Sequence, residues 1–239
     1  MSPEEMMSRA LADDYVGGFT QELLSAFYKG FPIENLRTLL ASENKETKSL
    51  AVYLVYELGD RLHPLISEIT ELLEHESPSY RFDAIIALTE CTTKNDAAAL
   101  GQIVLRFDDC DTFVHRGVMQ FVQVAKGWQL RLGVQESARQ KPEGVFADLP
   151  KILFSTTPSG RVPLAEKIKA FLGHSEPVAR RFGVALALRP RFILDWNLLD
   201  LAELIDEEEC QHMIQWARER KYPIPIGAEH GRIGRTHES

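Results

Sequence analysis

The sequence predicts an all-α protein, a solenoid of about five or six antiparallel helix pairs. Three observations carry that expectation. Apolar residues recur at three and four residues rather than two, the period of a single buried helix face. Turn signals interrupt the pattern every 12 to 20 residues, so short helices are joined by short turns and neighbours run antiparallel. One group of residues also returns at a spacing of 33 to 34 positions. A helical hairpin cannot bury its apolar face alone, and a fixed period of that length means stacked hairpins.

Along the chain, Ile33, Leu36, Leu39 and Leu40 form the first clear stripe, bounded by Gly30–Pro32 and Ser42–Asn44. A second runs through Leu62, Leu65, Ile66, Ile69, Leu72 and Leu73, and a third through Leu164, Ile168, Phe171 and Leu172. β-Branched runs are short and no Asn-Gly or Asp-Gly hairpin turn occurs. Lys48, Arg81, His115 and Arg180 share one position of the repeat, at successive offsets of 33, 34 and 65. Three residues later stand Ala51, Ala84, Val118 and Gly183, small enough for close helix packing, and then Val55, Leu88, Val122 and Ala187. The gap of 65 is two repeat lengths and predicts a divergent middle copy within 126–176. Residues 1–221 are expected to form one domain. The segment 222–239, rich in Pro and Gly and without periodicity, is expected to be an irregular or disordered tail.

The segments Ser77-Pro78-Ser79-Tyr80-Arg81-Phe82-Asp83-Ala84 and Glu176-Pro177-Val178-Ala179-Arg180 resemble short HEAT-like repeats, in which an acidic or Pro-bearing turn leads into a Val-Arg-x-x-Ala helix. The resemblance covers roughly 33–125 and 164–210. It implies a right-handed superhelix, a structural ladder in which the repeat Arg bonds an acid of the neighbouring repeat, and a concave face lined by second helices. The ankyrin and tetratricopeptide signatures are missing.

Charge and cysteine content narrow the function. With 35 acidic and 27 basic residues the net charge is −8, the wrong sign for a protein that coats nucleic acid or an anionic membrane. The distribution is uneven: −9 across 1–149, +6 across 151–191 and −7 across 192–209. Cys91, Cys110 and Cys210 are far apart and form no CxxC pair, which fits isolated thiols in a reducing cytosol. Acids follow Met1 where a secretory leader would carry Lys or Arg, and no apolar run reaches 18 residues, so a cytoplasmic protein is expected.

No nucleotide-binding glycine loop, GxSxG elbow or HExxH motif is present, and no catalytic residue, cofactor or metal is expected. His75-Glu76 is a single pair where a HEAT-like di-iron site would need several. Cys210-Gln211-His212 follows four acids whose simplest role is favourable charge at a helix start, and Asp108-Asp109-Cys110-Asp111 occupies a helix-capping turn. The expected function is non-catalytic protein binding through the concave face. Tyr53, Tyr56, Glu57, Asp83, Glu90, Gln120 and Gln123 are the candidate contact residues, and their acids select a basic partner. An inhibitor, such as an immunity protein masking a nuclease, has this character. The bipolar C-terminal half suits a second partner or a homodimer. The alternative is a HEAT-like alkylpurine DNA glycosylase or other DNA-binding protein, with Asp195 and Trp196, Trp128 and Trp216 supplying the acid and the aromatics near a lesion and the basic 151–191 segment on DNA.

Overall fold

A computed structural model describes residues 1–12, 18–157, 160–189 and 196–219; the expected tail at 222–239 lies outside them. Among the described residues there are fourteen α-helices and one two-residue antiparallel ladder, β1 (Thr156–Thr157) with β2 (Gly160–Arg161). The expected all-α solenoid is the fold.

Helix starts follow local chemistry. In α1 (Pro3–Ala10) Ser2 and Glu5 close a reciprocal capping box, and α2 (Thr20–Tyr28) follows. Asn44 caps α4 (Lys45–Leu58) by accepting from the amides of Glu46 and Thr47 at 2.9 and 3.0 Å. Asp111 caps α8 (Thr112–Val124) through the Phe113 amide at 2.8 Å. Proline, whose missing N–H costs nothing at a first helical position, opens both α6 (Pro78–Cys91) and α12 (Pro177–Ala187).

These helices fall into two layers. The second helices of the pairs, α4, α6, α8 and α12, pack in that order. Against them lie the first helices, α3 (Leu36–Leu40), α5 (Ile66–Glu71), α7 (Ala97–Leu105) and α11 (Leu164–Leu172). One buried apolar cluster runs through both layers from Met6 to Ile214.

The predicted register holds, and it is built from hydrogen bonds. Arg81 Nη1 donates to the carbonyls of His75 and Glu76 at 2.7 and 2.9 Å, and Arg180 Nη1 donates to those of His174 and Ser175 at 3.1 and 2.6 Å. His115 Nε2 donates to the Asp109 carbonyl at 2.7 Å, again six residues back. The remaining guanidinium nitrogens reach forward. Arg81 forms a fork with Asp109 at 2.8 and 2.9 Å, and Arg180 bonds Glu207. Each acid lies in the turn that opens the next second-layer helix, Glu207 standing just before α14 (Glu208–Glu219). Lys48 occupies the equivalent place, but the turn position that holds Asp109 and Glu207 is His75 there. Burial, and then the Lys48 charge, lower the pKa of that imidazole.

The divergent copy within 126–176 is a helical hairpin, α9 (Gly127–Gln140) and α10 (Val145–Leu153), and it does not insert a helix into the second layer. Instead α9 lies along α7, at a crossing that two glycines permit. A Cβ on Gly101 would stand 2.6 Å from Glu136 Cγ, and one on Gly133 3.0 Å from the Leu100 carbonyl oxygen. Consequently α12 packs directly on α8, 65 residues away in repeat register. Arg189 fixes one end of that contact by donating to the carbonyls of Val122 and Ala125, and Arg181 fixes the other through the Phe107 carbonyl at 3.2 Å.

The ladder makes a specific energetic prediction. The side chains of Arg81 and Asp109 are only 8 % and 4 % exposed, so Arg81→Met strands a buried carboxylate and is expected to cost about 3–5 kcal/mol of unfolding free energy. Arg37→Met removes a solvent-facing partner of Glu68 on the first layer and should cost about 1 kcal/mol or less. Urea titration compares the two, and equal costs would show that the rung is not what holds the repeats together.

Candidate interaction surface

The repeat register aligns the outward residues of the second layer into rows. Glu46, Ser79 and Phe113 form the row nearest the helix starts; Ser49, Phe82 and Arg116 the next; then Tyr53, Ile86 and Gln120; and finally Glu57, Glu90 and Val124 at the helix ends. All of these are half-buried or exposed. The same positions on and just after α12 are Val178, Ala185 and Arg189, all buried, and Arg181, whose side chain is 16 % exposed. The open face therefore spans α4, α6 and α8 and stops there.

Five of the seven candidate contact residues lie on or beside this face. Tyr53 and Tyr56 are half-buried, and Tyr53 Oη accepts from Gln21 Nε2 at 2.8 Å. Glu57 is half-buried, Glu90 exposed and Gln120 half-buried. Asp83 and Gln123, expected at the surface, are buried at 8 % and 6 % exposure. The reason is positional: Asp83 shares its register position with the buried Leu50, Gly117 and Phe182, so its helix turns it towards the layer below.

Two aromatic features complete the surface and were not among the sequence candidates. Phe82 and Phe113 stack with centroids 4.4 Å apart, and Phe113 is 41 % exposed. Tyr28, 47 % exposed, donates to the Glu57 carbonyl at 2.6 Å and carries Arg61 over its ring at 4.9 Å. Burial raises the Tyr28 phenol pKa, and so do Glu57 and, against the pull of Arg61, Glu90 and Asp60; these carboxylates therefore converge on one edge. The signal that could have found the phenylalanines is their place in the register, beside polar residues on the outward side of α8.

Beyond α8 the charges neutralise one another. Glu209, at the start of α14 and 2 % exposed, accepts from His115 Nδ1 at 3.1 Å and pairs with Arg181. Both ring nitrogens of His115 thus face oxygen atoms, Glu209 Oε1 and the Asp109 carbonyl. Glu208 pairs with Arg116 at 3.3 Å. Among the described residues of the basic segment 151–191, Arg180 and Arg181 meet the acidic stretch at Glu207 and Glu209. Lys167 donates to the Leu153 carbonyl, and Lys151 and Lys169 pair with Asp148 and Glu166. Little positive charge among the described residues of 151–191 is left for a phosphate backbone.

Among the described residues no group of three His, Cys, Asp or Glu side chains is placed to hold a metal ion. His75 Nδ1 accepts from the Ser77 amide and its ring packs on Tyr80, while Cys210 is buried against Glu207. Of the glycosylase candidates, Asp195 and the side chain of Trp196 lie outside the described residues. Trp128 packs against the core. No helix among the described residues is long and apolar enough to cross a membrane.

No protein-family model matches the chain and no curated protein matches it in sequence. Among solved structures, an engineered protein aligns over 91 % of this chain and 89 % of its own, at 13 % identity and a TM-score of 0.43. A designed armadillo repeat protein in complex with the peptide (KR)4 aligns over 91 % and 90 %, at 14 % identity and a TM-score of 0.44. Neither likeness is close enough to assign a family or an activity.

Glu209 sets an acid-dependence. Burial alone would raise its pKa, but the His115 hydrogen bond, a backbone amide and Arg181 outweigh burial and hold it down to about 2. The unfolded chain, with an ordinary value of 4.5, binds the proton first as pH falls. The stability due to this ionised carboxylate is complete above about pH 5 and is lost towards pH 2. Urea midpoints at pH 6, 4 and 3 should fall more steeply for the native sequence than for Glu209→Gln; parallel slopes would refute an ionised Glu209.

Proposed function

We propose that this chain is a non-catalytic protein-binding module whose partner docks on the open second-layer face of α4, α6 and α8 and is basic where it meets the helix ends. The observation that carries this reading is the contrast within one repeat register: three helices present their outward rows to solvent while the fourth buries the same row. Exposed aromatic surface of the Phe82–Phe113 kind supplies contact area at small entropic cost. Charge on the face is segregated. Lys45, Glu46 and Lys48 mix at the helix starts, whereas Glu57 and Glu90 stand at the helix ends, where the peptide dipoles of α4 and α6 add partial negative charge. That edge favours a cationic side chain from a partner and disfavours an anionic one. An inhibitor that masks a basic functional site is the form of this activity that the surface suits best.

The test is capture from a cell lysate by the native protein and by a Glu57→Lys, Glu90→Lys double variant, with circular dichroism confirming that both fold. A partner retained by the native chain and weakened about tenfold or more by the reversal is expected. Phe113→Ala should weaken it separately. Equal retention by all three proteins would place binding elsewhere and overturn the reading.

A further inference from the structure

α14 occupies a peculiar position. Its first turn does not simply extend the row of second helices; it reaches back onto two of them. Glu207 bonds Arg180 and Glu209 pairs with Arg181, both on α12, while Glu208 and Glu209 meet Arg116 and His115 on α8. Arg116 and Arg181 belong to the outward row that carries Ser49 and Phe82 on the open part of the face. The acidic tip of α14 therefore lies on that row. Its apolar anchoring is slight for a 12-residue helix: Cys210, Met213 and Ile214 are its buried hydrophobic side chains, and Gln211, His212, Gln215, Arg218 and Glu219 are exposed. Ala217 packs beside the buried three, Gln211 Nε2 donates to the carbonyls of Glu203 and Ile205 at 2.9 and 2.8 Å, and Arg218 pairs with Asp200 and Glu203. α14 is thus an edge helix held largely by polar and ionic contacts, the kind of element whose local opening precedes global unfolding.

We propose that the part of the face on α8 and α12 is a second docking surface, built for an acid-tipped amphipathic helix and occupied in cis by α14. Arg116, Arg180 and Arg181, with His115 beside them, form its floor, and α14 shows the chemistry of the ligand it accepts: consecutive glutamates in a first turn, where they also complement the helix dipole, followed by apolar residues at i+3 and i+4 spacing. A partner helix with that pattern would replace α14 and bind beside the open face. That a partner helix takes the place of α14 rests on the protein-binding reading above; the opening of α14 does not.

The three cysteines supply the measurement. Cys110 is exposed, Cys210 is buried on α14, and Cys91 is buried on α6 in the middle of the core. Burial raises both buried thiols above the usual range, Cys91 to about 12, so each reacts only when its surroundings open. The full chain is treated with a maleimide and the modified sites are followed by mass spectrometry. Cys110 should react at once, Cys210 at an intermediate rate and Cys91 last, with about tenfold or more between the buried two. A synthetic helix of sequence 206–219 with alanine in place of its cysteine, added in trans, should accelerate Cys210 without altering Cys91. The same peptide with its glutamates changed to glutamine should not. Equal rates at Cys210 and Cys91 would mean that α14 leaves only on global unfolding and would overturn the proposal. Faster Cys210 labelling with no effect of the acidic peptide would overturn the docking surface. Either outcome leaves the lysate test at Glu57 and Glu90 standing, so the two readings fail separately.

Discussion

The structure depends on a guanidinium that is shared between two repeats. Arg81 closes its own turn by bonding the carbonyls of His75 and Glu76 and at the same time forks onto Asp109 of the next; Arg180 does the same with His174, Ser175 and Glu207. Only arginine has a rigid planar fork with donors on two edges, so one side chain satisfies turn carbonyls and a carboxylate simultaneously. Because the acid is near-buried and the carbonyls belong to a turn, the bond fixes distance and rotation between neighbouring hairpins together. Apolar stripes alone would tolerate sliding by a helical turn. The rung forbids it.

The same chemistry carries the stack across its discontinuity. Between α8 and α12 the chain leaves the second layer for an entire hairpin, and nothing in the local sequence of α12 need return it to α8. Arg189 on the α8 carbonyls at one end and Arg181 on the Phe107 carbonyl at the other do so, with Phe182 packed against both Phe107 and Phe171. As a result the second layer is continuous although the first is widened by α9 and α10. That asymmetry places α14 at the α8–α12 junction and leaves α4, α6 and α8 uncovered.

The parts of this architecture that repeat chemically were legible in the sequence. Lys48, Arg81, His115 and Arg180 could be aligned because three are strong bases and the small residues three positions on recur with them. The turn position was not legible. Ser42, His75, Asp109 and His174 each accept the amide two residues ahead, but a hydroxyl, a carboxylate and an imidazole share only a lone pair and no residue class. Asp83 reads as a surface residue by its polarity, although its repeat equivalents Leu50 and Phe182 are core residues. Gln123 has no such signal, since its repeat equivalents Tyr56 and Thr89 are half-buried. The α8–α12 contact could not have been read at all, since a gap of two repeat lengths is silent on whether the intervening copy stays in the stack.

Net charge proves a poor guide to any one surface of this molecule. The basic segment 151–191 and the acidic segment that follows it, so prominent along the sequence, meet where Arg180 and Arg181 hold Glu207 and Glu209, while Lys151, Lys169, Glu208 and Glu203 pair with Asp148, Glu166, Arg116 and Arg218. On the first layer much of the acidity of residues 1–149 is likewise paired, as in Glu68 with Arg37, Glu74 with Arg106 and Asp108 with Lys141. The charge on the open face is local and directional. Glu57 and Glu90 stand where two helix dipoles end, beside an exposed tyrosine, on a face that the rest of the repeat register keeps open. A partner that docks there would meet the sign of these carboxylates and of the aligned peptide dipoles behind them rather than the net charge of the chain, so local placement bears on partner choice more than the total does.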